Sequence, residues 1–309
     1  MKAVTVQMIV FDIVKRKSRI AGGLAYLLLV IAPLCWAANV VLARGVIHII
    51  APVEFAFWRW LIAFLILLPL TWSNIKQDWK TVIQHWKVMT ALSILGISGF
   101  NTLLYTAVHT TTAINVALIQ TAMPTMIVLI SRLFFHERIR KIQVIGVICC
   151  ILGACLVVLR GDIRTFLNLS FVRGDLLMIT AVFLYALYSV LLRKRPQMHP
   201  MSFLTYTFGI GVLGLLPLYV WETAVLVHSS FTPDAALSIL FVAVFPSIVA
   251  YFCWNRGIEI IGPSRAGLFI NLVPVFASIM AILWLNESLE IFHVAGMALI
   301  IGGMILFNR

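Results

Sequence analysis

Apolar residues occur along this chain in long blocks separated by short polar breaks. Each block is roughly 17 to 24 residues long, the length of α-helix that crosses a bilayer. Hydrophobic residues do not alternate with polar ones inside the blocks, as they would in the strands of a membrane barrel. The pattern therefore predicts an all-α polytopic membrane protein with ten transmembrane helices, near residues 22–43, 54–72, 88–108, 113–134, 142–159, 173–192, 202–221, 235–255, 264–285 and 291–308.

Composition agrees with this class. Of the 309 residues, 62% are hydrophobic and only 11% are charged, whereas a soluble domain carries about 25% charged residues. The five cysteines lie within apolar runs and have neither zinc-site spacing nor the pattern of a disulfide framework. We therefore predict no metal site and no cofactor.

The chain contains an internal repeat. Sliding the sequence by 150 positions places "INLVPVFASIMAILWLNE" over "QTAMPTMIVLISRLFFHE", so that a proline and a glutamate coincide without a gap. Two glycines of the following block coincide at the same offset. Such matches are far rarer by chance than aliphatic ones in so apolar a chain. The matching pairs are Pro124 and Pro274, Glu137 and Glu287, Gly146 and Gly296, and Gly153 and Gly303.

The repeat predicts two halves of five helices each. Because five is odd, the second half must insert upside down relative to the first. Inverted repeats of this kind recur in secondary transporters, where the substrate site lies between the halves near the midplane. The predicted domains are a tail, 1–21, a first repeat, 22–160, an extracytoplasmic linker, 161–172, and a second repeat, 173–309.

Basic residues are distributed unequally between the two membrane faces. The tail and the loops after even-numbered helices, here called the basic face, hold eighteen of the 23 Lys and Arg residues, and the opposite face holds four. The positive-inside rule then places both termini in the cytoplasm. It also explains the net charge of +12 without a nucleic-acid partner.

These features together resemble a known family. Ten helices in two halves, each half ending in P-x12-E and a glycine-marked helix, are similar to the EamA type of the drug/metabolite transporter superfamily. The similarity runs from "PLCWAANVVLARG" to "FFHERIRKIQVIGVICCILGACLVV", and from "GDLLMITAVFLYALYSVLLRK" to "LNESLEIFHVAGMALIIGGMIL". The resemblance implies a transporter of the cytoplasmic (inner) membrane, commonly an exporter of metabolites or amino acids.

The repeated prolines mark candidate helix breaks. Pro124 and Pro274 each leave a carbonyl four residues earlier without its helical donor, and polar side chains stand there, namely Gln120 and Asn271. Broken helices beside polar groups can bind substrate. The alternative is a packing kink whose carbonyls are satisfied by neighbouring helices.

Three charged residues are candidates for a structural or gating role. Glu137 and Glu287 end the fourth and ninth helices, where capping or pairing with nearby basic residues competes with gating or proton transfer. Arg59 is the most deeply placed clear charge. Intramembrane charges are functional candidates, but Arg59 is predicted close enough to an interface to snorkel towards it as an anchor.

A set of aromatic and amide residues falls on the helices where the resemblance implies a central cavity. Tyrosine and tryptophan within spans often form interfacial belts instead, an alternative that applies most to Trp254 and Tyr105. With the residues near the prolines, the predicted substrate-binding set is Trp36, Asn39, Asn101, Tyr105, Gln120, Tyr185, Tyr188, Tyr251 and Asn271.

The sequence favours a secondary transporter of a small metabolite. No Asp or Glu lies in the middle of a predicted span, which favours a facilitator or exchanger over proton-coupled efflux and a neutral, zwitterionic or amphipathic substrate. A membrane-embedded enzyme is the alternative from another class, but no catalytic motif is present; a channel or scaffold is a third. The expected partners are the substrate and membrane lipids, with the chain a monomer or homodimer.

Overall fold

The computed structural model describes residues 22–39, 42, 50–169, 171–225, 232–285 and 290–308. The predicted tail, 1–21, lies outside the described residues. Among the described residues, ten helices are long and apolar enough to cross a bilayer, which confirms the predicted fold class. We number them α1 to α10: Gly22–Asn39, Pro52–Leu70, Trp86–Thr110, Asn115–Phe135, Lys141–Val158, Arg173–Lys194, Pro200–Val225, Pro233–Ile261, Pro263–Met280 and Ile291–Asn308.

Two shorter helices lie outside the spans. Ile163–Leu167 follows α5. Trp72–Gln84 joins α2 to α3 and is amphipathic, with Val82 buried and Trp79 exposed. It is tied to α7, because the Tyr206 hydroxyl donates to the Ile75 carbonyl at 2.9 Å.

Helices α5 and α10 show how the two halves are related. A Cβ atom on Gly303 would lie 2.5 Å from the carbonyl oxygen of Gly146, and one on Gly153 would lie 2.6 Å from that of Gly296. Only glycine allows two helix backbones to approach so closely. The contact between 146 and 303 becomes the contact between 296 and 153 when the two repeats are exchanged. This exchange is what a twofold relation between inverted repeats produces.

The axis of this relation passes close to Cys150. The Cys150 thiol donates to the carbonyl oxygen of Ile300 at 3.4 Å, and these two positions are separated by the same 150 residues as the repeated prolines. A residue can contact its own counterpart in the other repeat only near the axis.

The remaining helices also pair across the halves. Helix α2 packs on α7, α3 on α6, and α4 on the start of α9. Helix α1 packs on α8, where Leu29 fills the space beside Gly257. The two repeats are therefore interleaved, and residues near the centre of the molecule come from both.

The two helices that carry the repeated prolines Pro124 and Pro274, α4 and α9, are both interrupted. Helix α4 is built from Ala113–Gln120, which begins just before the span given above, and Met123–Phe135, with Pro124 in the first turn of the second piece. Helix α9 is built from Pro263–Gly267, a tighter 3-10 turn at Leu268–Asn271, and Leu272–Leu285, which continues beyond the span given above. Proline is tolerated at a helix start because its missing N–H is not needed there. The prolines thus begin new helical segments at matching places in the two halves.

Candidate substrate-binding site

The centre of the molecule contains a second pair of matching irregularities. Helix α3 widens into a π-helical turn at Ile94–Ser98, and α8 does so at Ala243–Val249. The offset of 150 places Gly96 on Pro246. In α8 the proline supplies no N–H to the carbonyl of Val242, and the Ser247 hydroxyl donates to that oxygen at 2.8 Å. Single π-helical turns within longer helices often mark functional sites.

Carbonyl oxygens of both wide turns accept hydrogen bonds from side chains of other helices. The Tyr251 hydroxyl on α8 donates to the Gly96 carbonyl on α3 at 2.5 Å. The Pro246 carbonyl on α8 accepts from Trp36 Nε1 on α1 at 3.2 Å and from Arg59 Nη2 on α2 at 3.1 Å. The two turns thus connect helices of both repeats through the protein centre.

Arg59 lies inside this centre. The residue is only 3% exposed. Its Nε donates to Ser247 Oγ at 2.6 Å, and its Nη1 donates to Tyr105 OH at 2.6 Å and to Asn101 Oδ1 at 3.4 Å. The guanidinium therefore points between the repeats and reaches neither membrane face. Of the two interpretations that the sequence left open for Arg59, an anchor that snorkels to an interface does not agree with this buried position.

An aromatic cluster lies beside the arginine. It consists of Trp36, Trp60, Tyr185, Tyr188, Tyr251 and Trp254, which come from α1, α2, α6 and α8. The ring centroid of Trp36 lies 5.8 Å from that of Tyr185 and 5.3 Å from that of Trp254. Edge-to-face and tilted pairs at such distances are favourable. The guanidinium carbon of Arg59 lies 4.8 Å from the Trp60 ring centroid, within range of a cation–π interaction.

The structure brings together most of the residues predicted for the site. Trp36, Tyr185, Tyr188 and Tyr251 belong to the aromatic cluster, and Asn101 and Tyr105 bind Arg59. Asn39, also predicted for the site, lies on α1 one turn after Trp36. It is buried, and its side-chain oxygen has no hydrogen-bond partner among the described residues.

The residues near the prolines lie elsewhere. Asn271 is 1% exposed and its amide has no hydrogen-bond partner in the described part of the chain. Its side chain lies near the Cys150 thiol of α5. At the matching position of the first repeat, the Thr121 hydroxyl lies 3.7 Å from Cys155 Sγ, also on α5. These polar groups therefore face α5 rather than the aromatic cluster, and Gln120 is half-buried at the break in α4.

Glu137 connects the two repeats at the basic face. Its carboxylate accepts from Arg193 at the end of α6 and from Ser264 at the start of α9. It follows His136, whose positive φ of 53° ends α4, and the first turn of α5 is closed by Gln143 instead. Glu137 is therefore paired with a basic residue, as the sequence suggested, but does not cap α5. Its counterpart Glu287 lies outside the described residues.

Other polar contacts join the repeats at the opposite face. Asp175 at the start of α6 accepts from the Thr111 hydroxyl at 2.6 Å and from Asn115 Nδ2 at 3.0 Å. The carboxylate of Glu222 at the end of α7 accepts the backbone N–H groups of Val53 and Glu54 at the start of α2. The centre is thus separated from both faces by contacts between the halves.

Sequence reasoning did not select Trp60, Trp254, Pro246 or Ser247. Trp254 is 0% exposed and donates to Ser189 Oγ at 3.3 Å, so the interfacial belt is the wrong environment for it. The same holds for Tyr105, which is 5% exposed. A signal was present for Pro246, because it is a proline within an apolar run, the feature that also marked Pro124 and Pro274. No group of His, Cys, Asp and Glu suited to a metal occurs in the described part of the chain.

Fold and site together define a class: a polytopic membrane protein of transporter architecture, with two inverted repeats around a buried polar and aromatic centre. The chain belongs to the EamA-like transporter family, whose family model matches residues 23–159 and again residues 172–309. The two separate matches confirm the duplication.

Relatives and a solved structure agree with this assignment. "Uncharacterized transporter YyaM" of Bacillus subtilis (strain 168) is 31% identical over 270 residues, covering 85% of this chain and 87% of its own. An "uncharacterized transporter" of Archaeoglobus fulgidus is 25% identical over 249 residues, covering 80% and 84%. One crystal structure superposes with a TM-score of 0.71 at 17% identity over 91% of this chain and 95% of its own, and shows the same fold. The relatives are named transporters, in agreement with the prediction of a transporter rather than an enzyme.

Proposed function

We propose that this protein is a secondary transporter that exports small metabolites, namely amino acids or other amphipathic neutral or zwitterionic compounds, across the cytoplasmic membrane. The observation that carries the proposal is the position of the aromatic cluster and Arg59 between the two repeats. Six aromatic side chains and one cation there come from helices of both halves. An apolar wall with a few polar groups that fix orientation is the usual composition of a small-molecule site.

Alternating access is the mechanism that suits this arrangement. The contacts of Glu137 hold the repeats together at the basic face, and those of Asp175 hold them together at the opposite face. With both sets formed, the centre is occluded. Rocking one repeat against the other would break one set at a time and expose the aromatic cluster to one side.

The basic face is assigned to the cytoplasm, with both termini there, because of its excess of Lys and Arg. Facilitated diffusion or exchange is favoured over proton coupling. The buried carboxylates of Glu54, Asp175 and Glu222 stand at helix ends, whereas proton relays use ionisable groups along the transport path.

Metabolite profiling of cells would test the proposal. A bacterial host expressing the protein is compared with one expressing Trp36→Ala, Tyr185→Ala, both of which alter the aromatic cluster. The matched control is Leu34→Ala, Phe183→Ala, which removes side chains from the same two helices at positions 40% and 46% exposed on the outer surface. All three proteins are brought to equal abundance in the membrane.

The expected result is enrichment of one compound class in the medium for the wild type and the control, and its loss for the cluster variant. Flux into proteoliposomes with and without a proton gradient then separates facilitator from proton-coupled efflux. Identical profiles for all three proteins, together with a failure of purified protein to bind any metabolite, would refute the proposed transport function.

A further inference from the structure

Arg59 is a buried cation whose partners are all neutral. Among the residues that the structure describes as buried, it is the single Lys or Arg. Three other arginines form ion pairs at the basic face, where Arg193 pairs with Glu137, and both Arg195 and Arg256 pair with Glu259. No carboxylate of the described residues lies within ion-pair distance of the Arg59 guanidinium. Arginine is almost never buried in this way unless it is paired.

Neutral acceptors compensate the buried charge only in part. Taking an ion out of water carries a large desolvation cost even after the protein has relaxed around it. The guanidinium has five N–H donors, and four hydrogen bonds are formed, to Ser247 Oγ, Tyr105 OH, Asn101 Oδ1 and the Pro246 carbonyl. The Asn101 contact is long, at 3.4 Å. A carboxylate would bind the planar fork with two parallel hydrogen bonds and would also neutralise the charge.

The acceptors of Arg59 belong to both repeats. Tyr105 and Asn101 come from α3 of the first repeat, and Pro246 and Ser247 come from α8 of the second. Movement of one repeat against the other would pull some of these acceptors away from the guanidinium. The donors that are released at that moment then become available to a ligand that enters the opened centre.

The surroundings of Arg59 specify the rest of the ligand. Trp60 lies against the guanidinium, and Trp36 shares the Pro246 carbonyl with it. A ligand bound to Arg59 through an anionic group would therefore place its remaining atoms against the aromatic cluster. The presence of one cation rather than two favours a monoanionic group over a doubly charged phosphate.

We propose that Arg59 binds the carboxylate of the transported substrate, so that substrates are carboxylates with an aromatic or aliphatic side group. This inference rests on the proposed transport function; it excludes the neutral amphipathic compounds and extends the substrate class to simple monocarboxylates. Zwitterionic amino acids satisfy it, with the ammonium against aromatic faces, and so do simple monocarboxylates. Neutral amphipathic compounds do not.

Matched pairs of compounds test the inference on the wild-type protein. Phenylalanine, leucine and phenylacetate are each compared with the corresponding carboxamide, in which a neutral amide group takes the place of the carboxylate. Binding to purified full-length protein in lipid nanodiscs is measured by calorimetry. Each acid is expected to bind about 10- to 100-fold more tightly than its amide, because a hydrogen-bonded charge pair is lost.

Variants show whether Arg59 is the origin of the preference. Arg59→Gln is expected to abolish it, and Arg59→Lys to retain only part, because lysine keeps the charge without the fork. Arg256→Gln, which alters an arginine paired with Glu259 at the basic face, should leave the preference unchanged. If Arg59→Gln does not fold, the comparison of acids with amides on the wild type decides alone.

Equal binding of acids and amides to the wild type would overturn the inference and leave the proposed transport function standing. So would a preference that persists in Arg59→Gln, or an exported compound without a carboxylate in the metabolite comparison. If none of the six compounds binds and no compound is exported, the transport function itself falls together with the inference.

Discussion

Gly302 and Gly303 are neighbours on α10 with opposite surroundings. A Cβ atom on Gly303 would lie 2.5 Å from the Gly146 carbonyl oxygen and 2.7 Å from Cys150 Sγ, whereas one on Gly302 would have nothing within 4 Å. The substitutions Gly303→Ala and Gly302→Ala therefore add the same methyl group to the same helix, once into a backbone contact and once into open space.

The expected effects have opposite signs. Overfilling a well-packed contact costs about 1–3 kcal/mol, and replacing a helical glycine by alanine gains up to about 1 kcal/mol. Gly303→Ala is expected to be neutral to destabilising by about 2 kcal/mol, and Gly302→Ala neutral to stabilising by about 1 kcal/mol. The two variants should differ by about 1–3 kcal/mol, because the propensity gain is common to both.

Thermal unfolding in mild detergent, followed by size-exclusion chromatography of the surviving fraction, measures this difference. Gly146→Ala should behave like Gly303→Ala, because it enters the same contact from the other helix with a Cβ 2.7 Å from the Gly303 carbonyl. The double variant should not show the sum of the two effects, since both act on one contact. Equal midpoints for the 302 and 303 variants would refute the close approach of α5 and α10.

Three further predictions concern the centre and the basic face. Ser247→Ala removes the acceptor of Arg59 Nε and a donor to the Val242 carbonyl. It should destabilise the protein by about 2–4 kcal/mol in the same unfolding assay, and unchanged stability would contradict this prediction. Tyr251→Phe removes the donor to the Gly96 carbonyl but keeps the ring, so a loss of stability of about 1 kcal/mol is expected. A loss of stability larger than that of Tyr251→Ala would argue against a local effect. Glu137→Gln should weaken the contact with Arg193 by at most about 1 kcal/mol, because exposed ion pairs contribute no more than that. It should nevertheless increase the reaction of a cysteine placed at residue 264 with a water-soluble maleimide, and no increase would refute a gate at this position.

The sequence predicted the number of helices, their inverted duplication and the two pairs of repeated glycines, because each of these rests on a local or periodic signal. Repeated residues carry the offset directly, and a bilayer fixes the length of an apolar helix. Gly146 contacts Gly303 rather than its own counterpart Gly296. This contact follows from the twofold relation of the repeats, and only the three-dimensional structure shows it.

Depth within the membrane was harder to predict than helix identity. Helix α2 begins at Pro52 and α8 continues to Ile261, a few residues beyond the predicted limits at each of these ends. At 1.5 Å per residue, Arg59 then lies about 10 Å from the start of α2, and Trp254 lies about 10 Å from the end of α8. A small error in a helix end thus moved both residues from the interface into the centre. Hydrophobicity alone locates an end only to within a few residues.

The two wide turns show how a duplicated scaffold can hold an unsymmetrical site. Their positions match at the offset of 150, but their hydrogen bonds differ. The Gly96 carbonyl accepts one from Tyr251, whereas the Pro246 carbonyl accepts one from Trp36 and one from Arg59. A second buried arginine at the matching place would add another desolvation cost and repel the first. The second repeat has Thr207 and Gly209 near that place on α7, and the Thr207 hydroxyl is satisfied by the Phe203 carbonyl of its own helix. Divergence of the repeats therefore leaves one cation at the centre, which gives a single orientation to any anionic group that binds there.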